Sequence, residues 1–410
     1  MAVLDGFLQL GLDAWLLVGR KSGDHPRVMP FYESPFIDYR PYHDLGVRLE
    51  LGQQRRKDAS AGLEDFNHPY SRRILDMTGS PPDLVLCHNL HGGFFDLRIL
   101  SELSRRVPVV LRLFDTWLQG GHCAYPLGCG RWLRGCGDCP DLTIPPAIAR
   151  DATRENLRRK QQIFEAARLF VSAESRWMLE RAQQSVLAPA ALRWKHIPGG
   201  VDLQIFRPDD RSAARQRLGL DPEARLLLYV AHQGAANRYK DFATVRQALS
   251  LLAQQQPARR ATLFVAGSAG PDEAISADIV IRPLGDIPSR ERLADFYRAA
   301  DLLIHSAAEE TFGNVVAEAL ACGTPVVTAS TGGAVELIED GRNGLAVPPQ
   351  EPARLAGAVA DLLDAPARRA RMGEAAAALA RRTLDRRVMI RELGAWCREV
   401  HAAWHARTAR

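Results

Sequence analysis

The sequence contains no long apolar run. The longest, at 107–110 and 226–231, fall far short of the ~20 residues that cross a bilayer as a helix. A helical membrane span is therefore not expected. The first residues also lack the basic-then-apolar layout of a secretion leader, because Asp5 and Asp13 interrupt them. The expected location is the cytoplasm. Lysine is scarce: only Lys21, Lys57, Lys160, Lys195 and Lys240 among 53 basic residues. The net charge of +5 is a mild and diffuse bias. No cluster joins dense basic charge to stacking aromatics, so nucleic acid is not an expected partner. There is no short repeat and no low-complexity tract. With 46% hydrophobic residues, the chain is also too apolar for a disordered one. At about 150 residues per domain, its 410 residues suggest two or three domains.

Short apolar runs alternate with longer amphipathic stretches. The runs at 83–88, 108–114, 168–172, 225–231, 262–266, 279–282, 301–305 and 325–329 read as buried strands. Helical patterns lie between them, as at 242–252, 291–299 and 315–321. This alternation argues for an α/β protein with parallel sheets covered on both faces. A boundary falls within 195–225. There Pro198, Gly199 and Gly200 lead through a loop to Pro208, and a short helix at 212–218 is closed by Gly219 and Asp221-Pro222. Two Rossmann-like halves follow from this, with ligands expected outside the carboxyl ends of the strands.

The chemistry concentrates in residues 305–349, HSAAEETFGNVVAEALACGTPVVTASTGGAVELIEDGRNGLAVPP. A strand ends, a loop carries Glu309, Glu310 and Thr311, and Phe312-Gly313-Asn314 leads into a helix. Glu310 precedes the helix at its positive end, and Glu318 lies about one turn inside. The free amides at the helix start suit a phosphate, and Gly313 leaves room for its approach. Taken alone, such a Glu pair reads as a cap plus a solvated helical side chain. The surrounding strand–loop–helix–CGTPVV–loop–GG–E order is far more specific.

That order resembles the signature of retaining glycosyltransferases of the GT-B fold, family 4. The family carries two Glu at this spacing, then ACGTPVV and a GG-x-x-E element, matched here by Gly332, Gly333 and Glu336. The stretch IPGGVDLQIFRP resembles its linker, with Gly199 in place of the usual Asn. FVSAESRWM, LVLCHNLHGGFFDLRIL and FDTWLQGGHCAYPLGCGRWLRGCGDCP resemble a bacterial branch that builds exopolysaccharide, colanic-acid-like and O-antigen chains. The resemblance implies two Rossmann-like domains facing a central cleft. It divides the chain into an acceptor-side domain (1–195), a nucleotide-sugar-binding domain (196–384) and a terminal helix (385–410) crossing back to the first domain. Glu310 is then expected beside the donor sugar, and Glu318 accepts hydrogen bonds from ribose hydroxyls. Phe312, Gly313, Asn314 and Val315 offer amides to phosphate or sugar oxygens. Lys240, in NRYKDF, matches the family's phosphate lysine, which neutralises the leaving diphosphate. Arg238 stands near the companion arginine's place in a different register. No metal-binding Asp-x-Asp occurs in the cleft segments, so no cofactor is expected for catalysis beyond the nucleoside diphosphate-sugar co-substrate.

The acceptor side is less determined. The family has His before Asp where this chain reads Phe114-Asp115. Asp115, His88 or His122 are the candidates for a proton-accepting role, and His91 lies close by in sequence. Cys123, Cys129, Cys136 and Cys139 are spaced C-x5-C-x6-C-x2-C, consistent with a structural zinc held by four thiolates on a loop. Packed, redox-inert thiols are the plainer alternative. The start, MAVLDGFLQLGLDAWLLVGRKSGD, looks like the end of a first helix followed by a second strand, so the first domain is expected to lack its first strand and glycine loop. The reading is transfer of a sugar to a glycan acceptor, lipid-linked, in polysaccharide biosynthesis. Peripheral attachment to the inner membrane through the Arg-rich side of the last helix is the sharper reading of that helix. The rivals are a non-catalytic sugar-nucleotide-binding subunit and a GT-B enzyme of soluble sugars.

Overall fold

The computed structural model describes residues 1–35, 37, 44–255 and 260–408. The expected terminal segment 385–410 thus runs two residues past the described ones. The chain forms two compact units. The first comprises Met1–Ile197 with Ile390–Arg410, and the second Pro198–Met389.

In chain order the first unit holds α1 (Ala2–Gln9), β1 (Leu16–Val18), β2 (Val28–Pro30), α2 (Leu45–Ser60), β3 (Val85–His88), α3 (Leu100–Arg106), β4 (Val109–Leu113), α4 (Thr153–Ala166), β5 (Leu169–Ala173), α5 (Arg176–Gln183) and β6 (Ala191–His196). Strands β3, β4, β5 and β6 lie in that order in one parallel sheet, and β1 and β2 form a separate parallel pair. All five residues of β4 and of β5 are buried. Apolar residues dominate them for this reason, since a parallel strand covered on both faces has no solvent side; the exceptions are Arg112, which pairs with Glu174, and Ser172.

The second unit holds α6 (Arg211–Leu218), β7 (Leu226–Val230), α7 (Phe242–Gln255), β8 (Ala261–Ala266), β9 (Glu273–Ala274), β10 (Ile279–Gly285), α8 (Arg290–Ala299), β11 (Leu302–His305), α9 (Asn314–Cys322), β12 (Val326–Ala329), β13 (Gly344–Val347), α10 (Pro352–Leu363) and α11 (Pro366–Thr383). The sheet order is β13-β12-β11-β7-β8-β10-β9, parallel except for β9. Successive residues of one strand serve opposite faces. Leu226 and Leu228 of β7 join one apolar cluster with Leu303 and Val326. Leu227 and Tyr229 join the other, with Leu302, Ile304 and Val327. The chain leaves β7 toward β8 on one side, and β11 returns to its other side. The carboxyl ends of β7 and β11 are therefore a topological switch point, where open α/β sheets hold ligands. At the opposite end Asp301 anchors both strands. Its carboxylate accepts from the Leu226 amide at 2.8 Å, Arg215 at 3.2 Å, Arg369 at 3.0 Å and Arg211.

The last helix, α12 (Arg386–Thr408), bears an apolar stripe. Within the first unit its Leu393, Trp396 and Val400 are buried. The Trp396 ring meets Phe170 edge-on at 6.3 Å, with Arg193 over its face. Full burial of one such side chain contributes roughly 1.5–3 kcal/mol. Among the described residues, no helix is long and apolar enough to cross a membrane.

One of the rare lysines is structural. Lys160 is fully buried, pairs with Glu64 at 2.9 Å, and donates to the carbonyls of Trp117 (2.7 Å) and Gly120 (2.9 Å). It fixes the loop that follows β4. Burial pushes the Lys160 amine down and the Glu64 carboxyl up, each opposed by the other's charge. Lys160→Met leaves Glu64 facing an apolar chain and is expected to cost ~3–5 kcal/mol. Urea unfolding followed by tryptophan fluorescence measures this, and adding Glu64→Gln should recover a large part of the loss.

Candidate functional site

Lys240 follows β7, and Glu310 follows β11. The structure brings them together across 70 positions: the Lys240 ammonium donates to Glu310 Oε2. Each loop is tied down. Asn237 accepts from the Tyr239 amide at 3.0 Å and begins the short helical turn Arg238–Lys240. The Lys240 carbonyl accepts from the Tyr229 hydroxyl of β7 (3.0 Å) and from Ser306 (2.7 Å) beyond β11. The Ala308 amide donates to the Tyr239 carbonyl at 2.9 Å. Arg238 is exposed at the start of that turn.

The glycines around Glu310 have steric reasons. The Glu310 carbonyl accepts from the Gly333 amide at 2.8 Å. A Cβ at Gly332, where φ is +55°, would lie 1.8 Å from that carbonyl oxygen. The GG-x-x-E element thus clamps the backbone of Glu310. Gly199 lies against Phe312, whose ring would be 2.4 Å from any added Cβ. Phe312 is itself buried. Gly313, at φ +93°, opens α9, and the first intrahelical bond runs from Ala317 to Gly313. The amides of Gly313, Asn314 and Val315 thus precede the helical ladder and suit an anion.

Glu310 is only 7% exposed. Burial alone would raise its carboxyl. The Lys240 ammonium and the neighbouring His305 outweigh that and hold it at about 2. Its Oε1 accepts from the Thr311 amide at 3.1 Å. Glu318 on α9 accepts from the Tyr297 hydroxyl at 3.0 Å. Burial pushes the Glu318 carboxyl up, against that hydrogen bond and the charge of Arg290. His305, Thr328 and Tyr297 were not singled out by sequence reasoning. The available signal for His305 was its place as the last residue of a strand, at the carboxyl end where sites form.

In the first unit, His91 Nε2 lies 2.7 Å from Asp115 Oδ2. That hydrogen bond raises His91, against its burial. His88 stacks on Phe114 with ring centroids 5.2 Å apart. Burial, with help from Arg112 and the amino terminus, brings His88 down to about 4. His122 is elsewhere, its Nδ1 3.0 Å from the Pro146 carbonyl and its Nε2 3.5 Å from Cys139 Sγ. The structure thus pairs Asp115 with His91 and with neither His88 nor His122.

Cys123, Cys129, Cys136 and Cys139 line one cavity of about 30 Å³ with His122 and Trp132. The four-thiolate zinc expected from their spacing is not assembled. Among the described residues, no group of three or more His, Cys, Asp or Glu is arranged to hold a metal ion. The sulfurs are free thiols, and Cys139 lies beside His122 and the Asp141 carbonyl. Burial raises Cys123 to about 12 and pushes Cys136 and Cys139 above their ordinary value.

Residues 210–379 match the family model described as "Glycosyl transferases group 1". The D-inositol 3-phosphate glycosyltransferase 2 of Catenulispora acidiphila is 42% identical over 188 residues, covering 43% of each chain. The D-inositol 3-phosphate glycosyltransferase of Streptomyces avermitilis is 35% identical over 254 residues, covering 56% of this chain and 52% of that protein. The chain spans about half the length of the curated relatives it matches. These relatives are named for inositol phosphate and not for exopolysaccharide. Among solved structures, sucrose-phosphate synthase from Thermosynechococcus elongatus aligns over 98% of this chain and 92% of its own, at 18% identity and TM-score 0.64. Anabaena Alr3699/HepE in complex with UDP and glucose aligns over 96% and 94%, at 20% identity and TM-score 0.63. The fold is thus the two-part α/β GT-B fold of these glycosyltransferase structures.

The depressed Glu310 carboxyl has a consequence for acid stability. It contributes stability above its ordinary value of 4.5, and that contribution is lost as pH falls from 4.5 toward 2. Glu310→Gln should flatten the stability loss across this interval. Unfolding midpoints measured along a pH series test this, and equal slopes for both proteins would contradict the pairing.

Proposed function

We propose that this protein is a retaining glycosyltransferase. It moves a sugar from a nucleoside diphosphate-sugar to a glycan acceptor, lipid-linked, in bacterial polysaccharide assembly at the inner face of the membrane. The observation that carries the reading is the Lys240–Glu310 pair at the β7/β11 switch point, beside the open amides of α9. A departing diphosphate develops negative charge, and a fixed ammonium in a partly buried site stabilises it far better than water does. Lys240 supplies that cation, while the amides of Phe312 to Val315 receive phosphate or sugar oxygens. Glu310 holds hydroxyls of the donor sugar, and Glu318 those of the ribose. Arg238 contributes a second positive charge at the rim. The leaving phosphate itself assists removal of the acceptor proton. Asp115, hydrogen-bonded to His91, is the better acceptor-side candidate. His88, at about 4, is too weak a base near neutral pH.

A second reading concerns the acceptor alone. The matched relatives are named for inositol phosphate, which favours a soluble phosphorylated polyol in place of a lipid-linked glycan. A non-catalytic subunit would bind nucleotide-sugar without turning it over.

Purified protein incubated with UDP-, GDP- and dTDP-sugars and each acceptor class separates these readings by product analysis. Lys240→Ala and Glu310→Ala are each expected to lower kcat by ~10²–10³ or more. Wild-type turnover in both variants would refute the site. Glu318→Ala should act chiefly on donor KM. Transfer is expected to persist in the presence of a chelator, because the cation at the diphosphate is Lys240.

A further inference from the structure

The second unit gathers charge at the other end of its sheet as well, away from Lys240 and Glu310. Arg225 immediately precedes β7, and Asp301 immediately precedes β11. There Arg211, Arg215, Arg225 and Arg369 line one open cavity of about 640 Å³, together with Asp301. Three of the four guanidiniums share the Asp301 carboxylate, which is buried. Arg215 is fully engaged, since it also donates to the carbonyls of Ala299 (3.0 Å) and Pro222. Arg369 also donates to the carbonyls of Leu362 (2.6 Å) and Leu363 (2.7 Å).

The other two are not engaged in this way. The Arg211 side chain is 41% exposed and bonds only Asp301 among the described residues. The half-buried Arg225 side chain makes no hydrogen bond or ion pair to any described residue. A guanidinium carries five N–H donors, so two residues bring uncommitted donors to one cavity. A cation withdrawn from water without a partner is unfavourable. The arginines also repel one another. Burial, then the charge of Arg211, lowers Arg215. Burial lowers Arg369 against the pull of Asp301, with help from Arg211 and Arg225. The remaining carboxylates of the lining, Glu223 and Asp364, are exposed, as is Asp221, which accepts from the Glu223 amide at 2.9 Å. Water and counter-ions screen such groups, so they offset the cavity's positive charge weakly.

We propose that this cavity binds a phosphate or diphosphate group, held by Arg211 and Arg225, with Asp301, Arg215 and Arg369 as the frame that positions them. The planar fork of a guanidinium matches two oxygens of a phosphate. A multivalent anion also answers two cations at once, which a single carboxylate does not. The volume exceeds that of one phosphate, so the group can belong to a larger molecule. The site is separate from the donor site proposed above and does not depend on it.

Calorimetric titration of the full chain with inorganic pyrophosphate, glycerol phosphate and acetate at matched ionic strength tests this. Lys240→Ala serves as one background, so that the proposed donor site does not take up the anion. That variant should still bind pyrophosphate or glycerol phosphate more tightly than acetate. Whichever binds more tightly assigns the site to a free diphosphate or to an esterified phosphate, as on a sugar or a lipid headgroup. Adding Arg225→Gln should weaken binding by ~10-fold or more. Arg225→Lys keeps the charge without the fork and should recover only part of it. In an otherwise wild-type chain, Arg225→Gln should likewise remove one class of bound phosphate. Thermal unfolding without added anion tests for a merely structural role. Losing an unpartnered, repelled cation should leave the midpoint unchanged or raise it; a lowered midpoint overturns the proposal. Phosphate binding that survives Arg225→Gln, or that is no tighter than acetate, also overturns it. Binding seen in the wild type and lost in Lys240→Ala supports the donor site and overturns this one.

Discussion

The ion pair between Lys240 and Glu310 is the constraint around which the second unit is arranged. Removing two charges from water is unfavourable unless each is met by partners of good geometry. That requirement explains the surrounding details. The Thr311 amide meets one carboxylate oxygen of Glu310, and Lys240 meets the other. Hydroxyls of Tyr229 and Ser306 fix the Lys240 backbone. Gly332 and Gly333 allow the following loop to close on the Glu310 carbonyl. The pair sits at the switch point because that is where two loops, made far apart in sequence, leave adjacent strands in one direction.

The strands of this fold were readable where burial on both faces forced apolar runs. All eight runs read as strands have a strand within or overlapping them. Those not read are instructive. Strand β6 contains Arg193 and Lys195 and lies at a sheet edge, with an intermediate residue at nearly every position. Strands β2 and β9 have three and two residues, too few to register as a pattern. Strand β13 opens on Gly344, which reads as a turn.

The candidate site was readable to the extent that chemistry follows from local order. Glu310, Glu318 and Lys240 stood out because the motif around each is contiguous. His305 did not, because its partner Thr328 lies 23 residues away. The pairing of His91 with Asp115 across 24 residues was hidden for the same reason. The cysteine loop is the converse. Spacing says which sulfurs are close along the chain, but whether they converge is decided by the anchors of the loop. Here those anchors include Lys160 on the carbonyls of Trp117 and Gly120 and the amide of Gly137 on Thr153.

The first unit is discontinuous in sequence: 197 residues, then a return at Ile390. Its core includes Leu393, Trp396 and Val400 from α12. During translation, the first 197 residues leave the ribosome long before that helix exists. Phe170 and its neighbours must therefore wait, with apolar surface uncovered, while the second unit is made. The first unit is begun before the second and finished after it. A contiguous fragment ending near residue 197 reproduces the waiting state and not the folded unit.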